Sequence, residues 1–230
     1  MLSLDAPRRQ AYARIAADLR RVFGDRFVAL VAGAHDTAAA FARRVDAADL
    51  DAMSALAETW SHDGLAVPLV MTPEEFRRSL DTFPAEYRTL LDHHIVIDGT
   101  PPFDGVVIDH ADLRRACEAQ ARGHLIHLRQ GWITAAGHDD RLAALIVQSA
   151  APLKVVLEHL AQLQNEHPGT DEALTTFAAR AVGMPADLVA SVFALEAQPH
   201  RAHTLVPRLA EYLTAAERLW AHVDGWRPAQ

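Results

Sequence analysis

IDHADLRRACEAQARGHLIHLRQGWI, residues 108–133, is the stretch that decides the fold. Asp109 can cap the start of a helix, and Asp112 adds a carboxylate to the first turn, where backbone N–H groups lack partners. Apolar residues then recur at helical spacing and predict one buried stripe: Leu113, Cys117, Ala121, Leu125, Leu128 and Trp132. The stretch therefore predicts one long amphipathic helix over residues 109–133.

A polar row runs beside that apolar stripe. Arg115, Arg122 and Arg129 follow one another at intervals of seven residues, and Glu118 is within ion-pair reach of the first two. One interpretation is a solvated face with internal ion pairs, which is the usual role of charged residues on a helix. The other is a basic wall that receives an anionic or phosphorylated ligand, because arginine offers such groups a fixed bidentate fork.

Length, charge and composition restrict the class of protein. The 230 residues allow one or two domains, and the net charge of −8 argues against a general nucleic-acid binder, which needs a basic field. We find no apolar run long enough to cross a membrane and no N-terminal signal segment, so we expect a cytoplasmic protein. Cys117 is the sole cysteine, which excludes an intrachain disulfide, and we expect it to be a small core residue.

The residues before 105 mix helical and strand patterns. Helices are predicted over 11–23, 47–60 and 85–91, with a further one beginning at Thr72, and strands over 26–32, 65–71 and 94–97. Pro68 suggests that the second strand lies at a sheet edge or contains an irregularity. Residues 37–45 fit either a helix or a strand.

Only helical patterns follow residue 109. Helices are predicted over 109–133, 140–164, 171–182, 185–196 and 204–223, joined by short turns. The sequence therefore predicts a mostly helical α+β protein with two domains. Residues 1–104 form a small mixed sheet with helices, and residues 105–230 form a helical bundle.

A set of motifs between residues 51 and 132 gives a family resemblance. Thr-Pro-Glu-Glu begins a helix at residues 72–75, Asp-x-Phe-Pro-x-Glu follows at 81–86, and a histidine and an arginine-rich helix come next. The last two correspond to His94 and to Arg114, Arg122 and Arg129. In these features the chain resembles an uncharacterised bacterial branch of the DNA polymerase beta-like nucleotidyltransferase superfamily. The resemblance covers most of residues 10–135 and implies a trimmed nucleotidyltransferase-like domain followed by a helical bundle.

The chain departs from that superfamily at the metal site. The resemblance implies a Gly-Ser pair after the first strand and then two carboxylates one residue apart, which hold the divalent metals of the bound nucleotide. Here Gly33 is followed by Ala34, and residues 38–42 read AAAFA. Asp36 and Asp46 are the nearby carboxylates, ten residues apart. We therefore expect the metal site to be lost and no cofactor to be bound.

The resemblance and the polar rows together predict a ligand-binding groove between the two domains. The predicted binding residues are Asp81, Glu86, His94, Arg115, Glu118, Arg122, His124 and Arg129. Helix capping by the first two and a structural role for His94 are the competing interpretations. His124 and His127 could share a zinc ion with Glu118 or Glu86, but no His-Glu-x-x-His pattern supports this, so we expect them to face a ligand.

Three functions remain open at this point. The first is a degenerate member that binds a small anionic ligand or a protein partner without nucleotidyl transfer. The second is an active nucleotidyltransferase for a small molecule or protein, with a magnesium nucleotide held by Asp36 or Asp46 and by Glu75 or Glu86. The third is a metal-independent enzyme that uses Glu86, His94 and the arginines. A homodimer through apolar faces of the bundle is a further option.

Overall fold

The chain forms two units, one that contains the sheet and one that is helical. The first extends over Met1–Asp109 and the second over His110–Gln230. The structure is a computed structural model that describes residues 3–33 and 37–227. The predicted α+β class, mostly helical with a small mixed sheet, is confirmed. The predicted domain boundary after residue 104 lies in the loop that precedes the division.

Helices and strands alternate in the first unit. The helices are α1 (Ala6–Phe23), α2 (Ala47–His62), α3 (Pro73–Arg78) and α4 (Pro84–Asp92). The strands are β1 (Phe27–Ala32), β2 (Ala38–Ala42), β3 (Leu69–Met71) and β4 (Ile95–Gly99). The sheet order is β3-β2-β1-β4, with β1 antiparallel to both of its neighbours and β2 parallel to β3. Helix α2 is therefore part of the crossover that connects the parallel pair.

Strand β2 settles the segment that the sequence left open. Its residues are four alanines and one phenylalanine, and alanine alone favours a helix. In the fold Ala39 pairs with Val31 and Ala40 with Leu30, and every residue of the strand is buried. Pairing with β1 on one side and β3 on the other therefore overrides the local preference.

Helices α1 and α2 cover one face of the sheet. Leu19 and Phe23 of α1 pack with Leu30 of β1 in an apolar cluster that also contains Met53 and Trp60 of α2. The indole N–H of Trp60 donates a 2.9 Å hydrogen bond to a carboxylate oxygen of Asp18, a buried residue of α1. Arg26 donates to both carboxylate oxygens of Asp49, at 2.7 and 2.8 Å. These hydrogen bonds lower the pKa of Asp49.

Both edge strands differ from their predicted limits. Strand β3 begins at Leu69, directly after Pro68, which lacks a backbone donor, and it lies at the sheet edge as predicted. Strand β4 extends two residues beyond the predicted end, to Gly99, where φ is +77°. A Cβ atom at Gly99 would lie 2.0 Å from the carbonyl oxygen of Val28. Only glycine therefore fits where the end of β4 pairs with β1.

The second unit contains α5 (His110–Ala135), α6 (Asp139–Leu163), α7 (Asp171–Phe177), α8 (Ala186–Phe193) and α9 (Leu209–Gly225). The predicted stripe on α5 is buried, from Leu113 through Cys117 to Leu128, while Trp132 is half-buried. The helix predicted over 171–182 ends its α-helical part at Phe177 and continues as a π-helical turn. The helix predicted from residue 204 begins at Leu209, because Pro207 lacks a backbone donor and lies in a preceding 3₁₀ segment.

Helix α6 corrects the expectation that no apolar run could cross a membrane. Among the described residues it is the one helix that is long and apolar enough, with a mean hydropathy of 1.3 over its most apolar window. Leu153, Leu157 and Leu160 are fully buried within the fold, and half of the window is buried. This burial is typical of the core helix of a soluble protein.

Candidate functional site

Strand β2 is where the resemblance places the metal-binding carboxylates. Alternate residues of a strand point to opposite faces of the sheet. Ala38, Ala40 and Ala42 belong to the apolar cluster formed with α1 and α2. Ala39 and Phe41 point to the other face, and both are buried as well. Both faces of β2 are therefore closed.

An aromatic cluster covers the Phe41 face. We give this name to Phe41, Phe76, Phe83, Tyr87, His94 and Phe103. The ring of Phe41 meets those of Phe76 and Phe103 edge-on, with centroids 5.6 and 5.7 Å apart. Phe76 in turn packs against Tyr87 at 4.8 Å. Edge-to-face contacts at these distances stabilise a core beyond simple area burial, so the cluster fixes α3 and α4 on the sheet.

The residues of β2 do not fit a pair of divalent metal ions. Hard cations such as Mg²⁺ bind oxygen ligands, and the methyl groups and the ring on this strand supply none. Asp46 caps α2 by accepting from the backbone of Asp49, and its carboxylate lies 3.8 Å from Arg26 and 3.3 Å from Arg44. Asp36 and Ala34 lie outside the described residues. Within residues 3–33 and 37–227, no group of three or more acidic, histidine or cysteine side chains forms a metal site.

Three of the predicted binding residues belong to the first unit. Asp81 and Glu86 are exposed, and Asp81 accepts a 3.2 Å hydrogen bond from the hydroxyl of Thr82. His94 lies within the aromatic cluster, 4.9 Å from the ring of Phe103, and its Nδ1–H donates to the carbonyl of Leu90 at 3.0 Å. His94 thus holds the end of α4 against the cluster. This contact matches the structural interpretation of that histidine.

The Thr-Pro-Glu-Glu motif is a capping box. Thr72 accepts from the backbone N–H of Glu75 at 3.1 Å, and the Glu75 carboxylate accepts from the backbone N–H of Thr72 at 2.7 Å. An open cleft of about 680 Å³ lies beside it. Glu75 serves the cap, and the exposed side chains of Arg78 and Glu74 lie 3.9 Å apart. Of the described residues that line the cleft, none is a predicted binding residue.

The other five predicted residues lie on α5 in the second unit. Arg115 pairs with Asp112, and Glu118 pairs with Arg114 at 3.0 Å, so Glu118 does not bridge the arginine row. Arg129 donates to Glu217 of α9 at 2.7 Å. Most of the predicted basic wall is therefore neutralised within its own unit.

Arg122 is the exception in that row. Its guanidinium lies over the indole ring of Trp220 on α9, 5.9 Å from the ring centroid, and its side chain is exposed. In the described part of the chain it has no carboxylate partner. The indole Nε1 of Trp220 is buried and has no hydrogen-bond partner among those residues. A stacked guanidinium keeps N–H groups available for an anion.

His124 corrects the prediction that it faces a ligand. It is 5% exposed, and its Nε2 lies 3.1 Å from the hydroxyl of Tyr212, which lies 3.0 Å from the hydroxyl of Ser149. Ser149 donates to the carbonyl of Ile146 at 2.8 Å. Burial, with a smaller contribution from His127, lowers the pKa of His124 to about 4. His124 is therefore a neutral core residue that connects α5, α6 and α9.

Two residues of α9 that contact the arginine row of α5 were not predicted as site residues. Trp220 and Glu217 are about ninety residues from α5 in sequence, so no local spacing rule connects them with Arg122 and Arg129. Ile126 and Ile133 of α5 were also not predicted as site residues. Both are exposed and lie seven residues apart. Their spacing, equal to that of the arginines, is a signal that was present in the sequence.

Comparisons with protein-family models, with curated proteins and with solved structures give no match to this chain. The nucleotidyltransferase resemblance and the groove predicted between the domains therefore stay predictions. The fold and the side chains define an α+β protein whose sheet is covered by an aromatic cluster on one face and whose helical unit carries a row of arginines on α5.

Proposed function

We propose that the chain is a binding protein on a nucleotidyltransferase-like scaffold and does not perform metal-dependent nucleotidyl transfer. The observation that carries the proposal is strand β2, whose two faces are apolar and covered. Two-metal phosphoryl transfer needs a pair of carboxylates that clamps both ions. A strand of alanines and one phenylalanine cannot supply that pair.

Binding of an anionic group is the function that we assign to the arginine face of the second unit. We define this face by Arg122, Arg129, Glu217 and Trp220. Arg122 supports the assignment because it is exposed, held by the indole of Trp220 and without a carboxylate partner in the described residues. The exposed pair of Arg129 and Glu217 is exchangeable, since surface ion pairs contribute little free energy. A cytoplasmic location is part of the same proposal.

The catalytic half of the proposal predicts no turnover. With each nucleoside triphosphate, Mg²⁺ or Mn²⁺ and candidate acceptors, we expect no pyrophosphate release above that of heat-denatured protein. Asp36→Asn, which removes the acidic residue nearest Gly33 in sequence, should behave like the native chain. Metal-dependent release that disappears in Asp36→Asn would contradict the proposal and favour an active transferase.

The binding half predicts stabilisation by a small polyanion without metal. In the presence of EDTA, tripolyphosphate at about 100 times its dissociation constant should add about 2.7 kcal/mol to the free energy of unfolding of the second unit. Arg122→Ala should remove most of that gain, and thermal unfolding at several ligand concentrations measures it. Arg141→Ala, at an exposed arginine of α6, is the matched control and should retain the gain. An equal gain in both variants would exclude Arg122 from the site.

A further inference from the structure

The outer face of α5 carries apolar side chains beside its arginines. Ile126 is 42% exposed and Ile133 is 78% exposed. Residues three, four and seven apart share one side of a helix, so Arg122, Ile126, Arg129 and Ile133 form one continuous surface. We call this surface the α5 face. Two exposed β-branched side chains one heptad apart, alternating with arginines, form a strip that a second helix can cover.

The dimensions of the α5 face exclude a small ion as its complete ligand. Seven residues of helix rise by about 10 Å, so Ile126 and Ile133 lie about two turns apart. A phosphate-sized ion at Arg122 would leave Ile133 in water. An elongated apolar partner covers both isoleucines, and the release of water from their side chains would favour binding.

The charges of the α5 face select an acidic partner. Arg122 has no carboxylate partner in the described residues, and Arg129 can exchange its exposed pair with Glu217 for another carboxylate. A second copy of the chain is a poor occupant, because two-fold pairing of the same face would place the arginine row against itself. Charged residues within a helix–helix contact set partner choice, because they attract opposite charges and repel like ones.

We infer that the α5 face docks an amphipathic helix of another protein, with apolar residues at heptad spacing and acidic residues beside them. This inference rests on the proposed anion-binding function and names its partner. The apolar side of the partner helix would cover Ile126 and Ile133, and its carboxylates would reach Arg122 and Arg129. This recognition mode is that of an amphipathic helix whose apolar side packs on an apolar surface.

A designed peptide tests the inference with the full chain. The peptide has about four heptads, with leucine at the seam positions and glutamate beside them. Fluorescence anisotropy should show that a double change, Ile126→Gln with Ile133→Gln, weakens binding by about tenfold or more, and that Arg122→Ala weakens it by about tenfold at low salt. Val107→Gln and Arg141→Ala are the matched controls, since Val107 is 80% exposed and lies outside α5. They should change binding by less than about twofold.

Circular dichroism should show that all variants fold, because each altered side chain is exposed. Equal binding of a scrambled peptide of the same composition would overturn the inference. Binding of tripolyphosphate but not of the peptide would overturn it and leave the proposed function in place. Failure of both ligands to bind would remove the anion-binding half of that function too. A native homodimer that dissociates in the double isoleucine variant would assign the face to a second copy instead.

Discussion

Gly99→Ala is expected to lower the free energy of unfolding of the first unit by about 3 kcal/mol or more. Two effects add at this position. A left-handed backbone conformation is costly for alanine, and φ at Gly99 is +77°. The new methyl group would also lie 2.0 Å from the carbonyl oxygen of Val28 and 2.8 Å from the Cα of Ala29, which are backbone atoms that cannot rotate away. That carbonyl accepts from Thr100 at 3.1 Å, so the contact between β1 and the end of β4 would open.

Gly105→Ala separates the two effects. Gly105 has a similar φ of +70°, but a Cβ there meets nothing within 4 Å. Gly105→Ala should therefore lower the free energy of unfolding by only about 1 kcal/mol, from the backbone conformation alone. Urea unfolding, combined with hydrogen exchange of the β1 and β4 amides, compares the two variants. Equal losses of free energy of unfolding in the two variants would mean that the end of β4 does not lie in close contact with β1.

Acid should destabilise the second unit through His124. The pKa of His124 is about 4 in the fold and about 6.5 in an unfolded chain. The unfolded state therefore takes up a proton first as the pH falls. Stability is full above pH 6.5 and decreases until about pH 4, by roughly 3 kcal/mol in total. Hydrogen bonds to Arg208 lower the pKa of Asp187 and of Glu211, so these carboxylates also lose stabilising contacts in acid, and the test compares variants rather than absolute values.

His124→Gln is expected to remove this pH dependence. Glutamine does not titrate, and its amide can replace the imidazole Nε2 beside the hydroxyl of Tyr212. The variant should lose about 1 kcal/mol near pH 7 and should retain its remaining stability better than the native chain down to pH 4. His127→Gln, at the exposed neighbour, is the control and should keep most of the native acid loss, because burial is the larger cause of the lowered pKa of His124. Parallel pH profiles for the native chain and His124→Gln would show that His124 is not the group responsible.

The sequence predicted local features of the fold correctly where one segment carried the full signal. Burial of the stripe from Leu113 to Leu128 was predictable because helical periodicity alone shows which side of α5 is apolar. The helix predicted to begin at Thr72 does so, because Thr72 and Glu75 form a capping box whose atoms all lie within one turn. The start of α9 could have been placed as well, since Pro207 gave a local signal that the prediction of a helix from residue 204 ignored.

Features that depend on distant residues could not be predicted in this way. Ala40 lies in a strand because Leu30 pairs with it, although alanine favours a helix in isolation. His124 turns inward because Tyr212, far along the chain, offers it a hydroxyl group. The stack of Arg122 on Trp220 likewise joins α5 and α9, and residue spacing within either helix could not predict that the two helices are neighbours.

The position of Cys117 makes the native chain its own reporter of unfolding. It is the sole thiol and is fully buried on α5, so an alkylating reagent can reach it only when the second unit opens. Under native conditions the alkylation rate therefore measures the opening free energy of that unit, without labels or added probes. Substitutions in the first unit, such as Gly99→Ala, would change this rate only if the two units stabilise one another.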